Sequence, residues 1–210
     1  MSEYHKIVTV YERDPATKFR TLIEGQWATP EFAYLKDNEW VWTEKLDGTN
    51  IRIKWDGEKV EFGGKTDNAQ LYAPLVAWMN GKFYSGALAR VLTGPAVLYG
   101  EGFGAGIQGG SKYRKDTVVV LFDVFCGGLW LRREDVDDIA KKLEIESVPV
   151  VSRGPLSNAV ELARMGFPSN FGEFQPEGLV MRPAVEMLDR RGHRIITKIK
   201  AKDFSHGTAR

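Results

Sequence analysis

The stretch Trp42-Thr-Glu-Lys-Leu-Asp-Gly-Thr-Asn50 sets a lysine beside a carboxylate, a glycine and two small polar residues, with apolar, strand-like neighbours on both sides. A free lysine amine is protonated at neutral pH and is no nucleophile. Desolvation and nearby cations lower its pKa and make covalent catalysis possible. Lys45 has the apolar setting, and Lys198 or Lys200 can supply the cations. Asp47 can orient the amine, although its negative charge acts in the opposite direction unless a metal compensates. Gly48 lets the backbone turn close to a ligand. The same residues also describe a strand-end lysine followed by an ordinary Asp-Gly turn, and such tetrapeptides are common.

Four further stretches place charged or aromatic residues among apolar ones. In Tyr99-Gly-Glu-Gly-Phe-Gly104, Glu101 can accept hydrogen bonds from ribose hydroxyls, or can be a plain loop acid. In Val120-Leu-Phe-Asp-Val-Phe125, Phe122 can be core or a face on which a purine stacks. Asp123 interrupts that apolar run and, if buried, must find a partner. In Glu177-Gly-Leu-Val-Met-Arg182, Glu177 at the mouth of a strand can hold a divalent metal through water or pair with Lys45. In Ile196-Thr-Lys-Ile-Lys-Ala-Lys202, the two-residue period puts Lys198 and Lys200 on one face. Two cations on a buried strand need anions, and phosphates suit them; a solvated edge strand blunted by lysines is the other reading. Residues 104–109 match GxGxxG, but a strand pattern follows instead of a helix, which argues against a dinucleotide site. No GxxxxGK[ST] phosphate loop occurs.

The elements that must position these residues are mostly strands. Glu39 to Glu44, Thr49 to Trp55 and Lys59 to Gly63 read as strands, with Asp56-Gly57 as a hairpin turn. Gln70 to Met79 and Lys82 to Leu92 have helical apolar spacing, with Asn80-Gly81 as the break between them. Strands follow over Ala96 to Phe103 and Thr117 to Phe125. Leu131 to Leu143 and Pro155 to Met165 read as helices, the second with its proline in the first turn. Gly178 to Arg182 and Arg194 to Ile199 are late strands. Antiparallel strands in runs with helices between them indicate an α+β fold and exclude a doubly wound sheet.

Composition adds limits. The 210 residues, 43% hydrophobic and 27% charged, fit a soluble globular chain of one domain. A net charge of +1 gives no global field for nucleic acid. The basic residues nevertheless cluster, at Lys112, Arg114 and Lys115 and again from Arg190 to Lys202, as phosphate-binding patches or as solvated faces. One cysteine, Cys126, rules out an intrachain disulfide, fits a reducing cytoplasm, and reads as a small buried thiol. The N-terminus lacks a secretory apolar region, and the run Val118 to Cys126 is too short to cross a bilayer. His5, His193 and His206 are scattered, which argues against zinc.

In series, KLDGTN, YGEGFG, VLFDVF, EGLVMRP and KIKAKDF resemble the covalent nucleotidyltransferase superfamily of ATP-dependent DNA ligases, RNA ligases and mRNA capping enzymes. The likeness spans Lys45 to Phe204. It is closest to the RNA ligase branch that includes phage dsRNA-nick-sealing and RNA-editing ligases. Related DNA ligases usually carry Arg where this chain has Asn50. The resemblance implies an ATP-grasp-like adenylyltransferase core of antiparallel sheets and flanking helices. Relatives usually continue into a C-terminal OB-fold or helical domain, and this chain departs from them in that it is expected to be a single domain over 1–210 with no C-terminal OB-fold or helical domain. It implies ATP and Mg2+ or Mn2+ as cofactors. The implied partner is RNA, or an RNA-containing duplex, with 5′-phosphate and 3′-hydroxyl ends. No membrane is implied.

The roles it implies begin with Lys45, which would attack the α-phosphate of ATP and form a lysyl-adenylate. Glu101 would contact the ribose and Phe122 would stack on adenine, with Asp123 beside it. Glu177 would organise the metal, and Lys198 and Lys200 would neutralise the α-phosphate. Glu44 and Asn50 are further site candidates. Where the family usually has Arg after the hairpin, this chain has Lys65, a point charge without the bidentate fork. The chain ends at Arg210, soon after Lys200, so a minimal ligase, or one whose clamp comes from a partner protein, is expected. The alternatives are a DNA nick-sealing ligase, a capping-type guanylyltransferase that uses GTP, and a non-catalytic nucleic-acid-binding module.

Overall fold

The structure, a computed structural model, describes residues 3–204; His206 lies outside the described residues. In chain order the strands are β1 (Val8–Thr9), β2 (Tyr11–Arg13), β3 (Leu22–Trp27), β4 (Trp40–Lys45), β5 (Thr49–Trp55), β6 (Val60–Gly63), β7 (Ala96–Phe103), β8 (Val118–Cys126), β9 (Leu129–Trp130), β10 (Val150–Gly154), β11 (Gly178–Pro183) and β12 (Thr197–Lys200). The helices are α1 (Pro30–Leu35), α2 (Ala73–Lys82), α3 (Ser85–Ala89), α4 (Arg133–Lys142) and α5 (Leu156–Met165). The fold is α+β. The chain divides into two compact units, one built from Asp47–Val148 with residues 3–5, the other from Lys6–Leu46 with the chain from Pro149 onward.

The Asp47–Val148 unit is a five-stranded antiparallel sheet in the order β6-β5-β7-β8-β9. Alternation sorts its residues. Ile51, Ile53 and Trp55 of β5 are buried with Leu75 and Met79 of α2 and Val136 and Ile139 of α4. Asn50 and Arg52 take the other face by the two-residue period. The β5–β6 turn forms at Asp56-Gly57 as its residue types demand. Gly57 has φ +109°, and the Asp56 carboxylate accepts from the Glu58 and Lys59 amides at 2.9 and 2.8 Å. Cys126 is only partly buried, because it ends β8 beside a Gly-Gly turn. Asn80-Gly81 does not break the helix there. Both residues lie in the last turn of α2, where a Cβ on Gly81 would meet open space, and the chain turns instead at Phe83-Tyr84.

The other unit carries a five-stranded sheet in the order β1-β12-β11-β4-β10 and a β2–β3 hairpin. All pairs in the larger sheet are antiparallel except β1 with β12. Trp40 and Trp42 of β4, Leu179 and Met181 of β11 and Ile199 of β12 face a buried cluster with Leu156, Ala159, Val160 and Ala163 of α5. Pro155 is the N-cap of α5, one step before the first turn, with φ −60° and ψ 148°. No helix among the described residues is long and apolar enough to cross a membrane.

Candidate active site

Register assembles a group of charges on the face of the larger sheet opposite the α5 cluster. Gly178 of β11 is paired with Lys45 of β4 on one side and with Lys200 of β12 on the other. One row across the sheet therefore reads Lys200, Gly178, Lys45. The next row reads Lys198, Val180, Thr43. The central position of the first row has to be glycine. Its φ is +153°, and a Cβ there would lie 2.1 Å from the Ile199 carbonyl oxygen. Nothing thus stands between the two lysine side chains from their own sheet row. β12 lies between β1 and β11 and is no edge strand, so the edge-blunting reading of its lysines does not apply.

Glu177, one residue before Gly178, closes this group. Its Oε2 accepts from Lys45 Nζ, and its Oε1 accepts from Lys200 Nζ at 2.5 Å. The three side chains are 22% (Lys45), 19% (Glu177) and 22% (Lys200) exposed, open enough to meet a ligand and dry enough for their charges to be felt. Burial works to raise the Glu177 pKa. The Lys45 charge and the hydrogen bonds from Lys200 and Lys45 outweigh it and hold the carboxyl below its ordinary range. The Lys198 pKa is pushed down by burial first, then by the Lys45 and Lys200 charges, and Glu177 only partly offsets this. Three cations with one carboxylate leave an excess of positive charge, which suits an anionic ligand.

Glu44, the neighbour of Lys45, points the other way. It is 2% exposed. It accepts from Ser169 Oγ at 2.5 Å, from the Asn170 amide at 2.8 Å and from Asn170 Nδ2 at 3.1 Å. Its carboxylate thereby ties the 169–172 turn to β4.

The remaining candidates lie in the Asp47–Val148 unit. Asn50 and Glu101 are direct partners across β5 and β7. Asn50 Oδ1 is buried and has no hydrogen-bond partner among the described residues, so an acceptor there awaits a donor. Gly48 fits tightly, its Cβ position lying 2.4 Å from the Gly102 carbonyl oxygen. Phe122 is half-buried and stays out of the apolar cluster. The Tyr4 ring meets it edge-on at 5.1 Å. Asp123 is 2% exposed and accepts from Tyr4 Oη at 2.5 Å. Lys65 is exposed. Its loop is anchored by the fully buried Arg52, which donates to the Gly64 carbonyl at 2.6 Å and to Asp67 at 2.9 Å.

Three contributors escape sequence reasoning. Gly178 could have been flagged by its place between Glu177 and an apolar strand. Arg13 and Asp203, 190 residues apart, carry no local signal. Arg13 Nη2 donates to Asp203 Oδ1 at 2.8 Å, and Asp203 Oδ2 accepts from the Lys200 amide at 3.0 Å. This pair fixes the end of β12, and the Arg13 charge adds last and least to the effects that lower the Lys198 pKa.

A family model described as RNA ligase matches residues 38–200. No curated protein matches. Among solved structures, the chain is similar to Naegleria gruberi RNA ligase. One variant solved with ATP and Mn aligns at TM-score 0.71 and 18% identity over 95% of this chain and 56% of that one. Another variant with ATP and Mn aligns at TM-score 0.67 and 19% identity over 81% and 51%. An apo variant aligns at TM-score 0.69 and 16% identity over 100% and 60%. The chain spans a little over half the length of these ligases, and at such identity the likeness is one of fold.

Proposed function

The chain belongs to the RNA ligase family, and from that premise we propose that it is an ATP-dependent polynucleotide ligase working through a lysyl-AMP on Lys45. The observation that carries this reading is the row Lys45–Gly178–Lys200 with Glu177 bonded to both amines. It presents a nucleophile, a proton acceptor and two further cations on one sheet face, with no side chain between the two amines in their row.

The first step forms a bond from Lys45 Nζ to the α-phosphorus of ATP and breaks the bond to the β-phosphate oxygen. Pyrophosphate leaves with the electron pair. An amine attacks only as the free base, and the hydrogen bond to Glu177 gives the departing proton an acceptor. Lys198 and Lys200 balance the charge that grows on the phosphate, since phosphoryl transfer depends mainly on positioning and electrostatics. In the second step a 5′-phosphate oxygen of the nucleic acid displaces the lysine and takes the AMP. In the third a 3′-hydroxyl attacks that 5′-phosphate, and AMP leaves. Glu101 takes the ribose and Phe122 the adenine, supported by Asn50, Asp123 and Lys65, while Glu44 acts from behind the site by holding the 169–172 turn to β4.

A divalent ion fits the donors present only in one way. No group of three or more His, Cys, Asp or Glu side chains gathers among the described residues. The ion would be held by Glu177 and substrate phosphates, as Mg2+ commonly is, and would supply charge neutralisation. The substrate is read as RNA or an RNA-containing duplex with 5′-phosphate and 3′-hydroxyl ends. The two units are read as one nucleotidyltransferase domain, because the resemblance assigns residues of both to one reaction.

Incubation with α-labelled ATP or GTP and Mn2+, followed by a 5′-phosphorylated nicked RNA, tests the reading. Label from ATP on the protein, chased onto RNA and released on sealing, is expected. Label from GTP alone would assign a capping-type transfer, and label from neither would defeat the enzyme reading.

A further inference from the structure

The turn joining β2 to β3 holds an aromatic ring in water at some conformational expense. Lys18 and Phe19 are consecutive non-glycine residues with φ +55° and +60°. A bulky residue in that region is a rare outlier. Phe19 is nevertheless 61% exposed, so no burial of its ring compensates.

The conformation persists because the backbone around it is held at many points. The Phe19 amide donates to the Asp14 carbonyl at 2.9 Å, the Lys18 amide to the Pro15 carbonyl at 3.0 Å, and the Asp14 amide to the Thr21 carbonyl at 3.0 Å. Arg13 Nη1 donates to the Phe19 and Arg20 carbonyls at 3.4 and 3.2 Å. The same guanidinium reaches Asp203, whose second oxygen holds the Lys200 amide. The tip is therefore braced to the strand that carries Lys198 and Lys200. A merely connecting turn would favour Gly or Asn at position 19.

The ring is flanked by Lys18 and Arg20, both exposed. Asp14, the turn's one acid, is engaged by the Ala16 amide at 2.8 Å. An exposed aromatic between two cations on a rigid turn matches the chemistry of an unpaired base with its neighbouring phosphates. A single ring offers too little apolar area for a protein interface. We propose that Phe19 is a stacking platform for unpaired nucleotides of the RNA substrate, with Lys18 and Arg20 as its phosphate contacts. The proposal rests on the RNA ligase reading and names the segment that grips the polynucleotide.

The test measures affinity of the full chain for a 5′-phosphorylated single-stranded RNA at two salt concentrations, with the AMP adduct followed by mass in the same preparations. Phe19→Ala should weaken binding by roughly tenfold. Phe19→Asn keeps a residue that tolerates the turn's backbone and should show the same loss, while Phe19→Trp retains binding. Replacing Lys18 and Arg20 by Ser should flatten the salt dependence. Adduct formation should be unchanged in all of these. Parental RNA affinity in Phe19→Asn would assign the ring to some other partner and overturn the proposal. So would a Trp variant as weak as Ala, or a parent that binds no RNA. Failure of the adduct in the parent would defeat the ligase reading instead, and that is seen independently of the binding series.

Discussion

The two faces of strand β4 make opposite uses of adjacent residues. Glu44 and Lys45 are neighbours in sequence, yet Glu44 is buried with every contact satisfied within the protein, while Lys45 shares a carboxylate with Lys200 on a partly open surface. On one face the Glu44 carboxylate stabilises the unit by closing its hydrogen bonds. The other leaves positive charge in excess, which is costly to the fold and useful to an anionic substrate. The comparison teaches that a charged residue's role follows from which partners its strand face supplies, more than from its neighbours in sequence.

Six variants would break or sharpen that contrast. The largest effect on chemistry is expected from Glu177→Ala and Lys200→Ala, which should each slow AMP transfer by on the order of 100-fold or more in single-turnover labelling. Parental rates in either would detach that residue from the reaction. Gly178→Ala should follow closely and act on the fold as well, because its Cβ has no room against the Ile199 carbonyl; a lowered Tm alongside lost labelling would show both. Glu44→Ala should cost about 1–3 kcal/mol, chiefly by leaving the buried Ser169 hydroxyl unmatched and releasing the Asn170 donors, read as a lower Tm, while the adduct still forms. Loss of nucleotide use with Tm intact would instead place Glu44 in contact with the ligand.

The smallest effect is the most diagnostic in sign. Lys198 is a half-buried cation beside two others, and its folded pKa is depressed. A lysine of this kind costs stability below its folded pKa, and the cost is relieved as pH rises toward the unfolded value. Lys198→Met should therefore raise Tm by about 2 °C at neutral pH while slowing AMP transfer, and the gain should shrink as pH rises toward about 10. Glu177 behaves in the opposite sense. Its depressed pKa contributes stability above the unfolded carboxylate value, and that contribution is lost as pH falls through the folded one. The Tm difference between the parent and Glu177→Gln should accordingly shrink below about pH 4. A pH-independent difference would contradict the assigned pairing.

Much of this was legible in the residues, for definite reasons. β5 alternates polar and apolar residues from Asn50 to Trp55, and the spans Thr49–Trp55 and Ala96–Phe103 match the strands read from the sequence. The shared face of Lys198 and Lys200 follows from the same period. Register does not, and it is register that puts Gly178 between two amines. The first 35 residues gave little sign of structure. β1 and β2 are two and three residues long, too short to alternate, and β1 pairs with β12 from the far end of the chain. The Arg13–Asp203 bond is hidden for the same reason. Asn80-Gly81 misled because an exposed glycine in a final helical turn needs no break.

The central claim is that Lys45 becomes covalently bonded to a nucleotide, and peptide mass mapping after incubation with ATP and Mn2+ tests it most directly. One AMP per chain on the peptide containing Lys45, absent from Lys45→Ala, is the predicted result. An unmodified Lys45 under all nucleotides and divalent ions, or an adduct that survives the substitution, would contradict it.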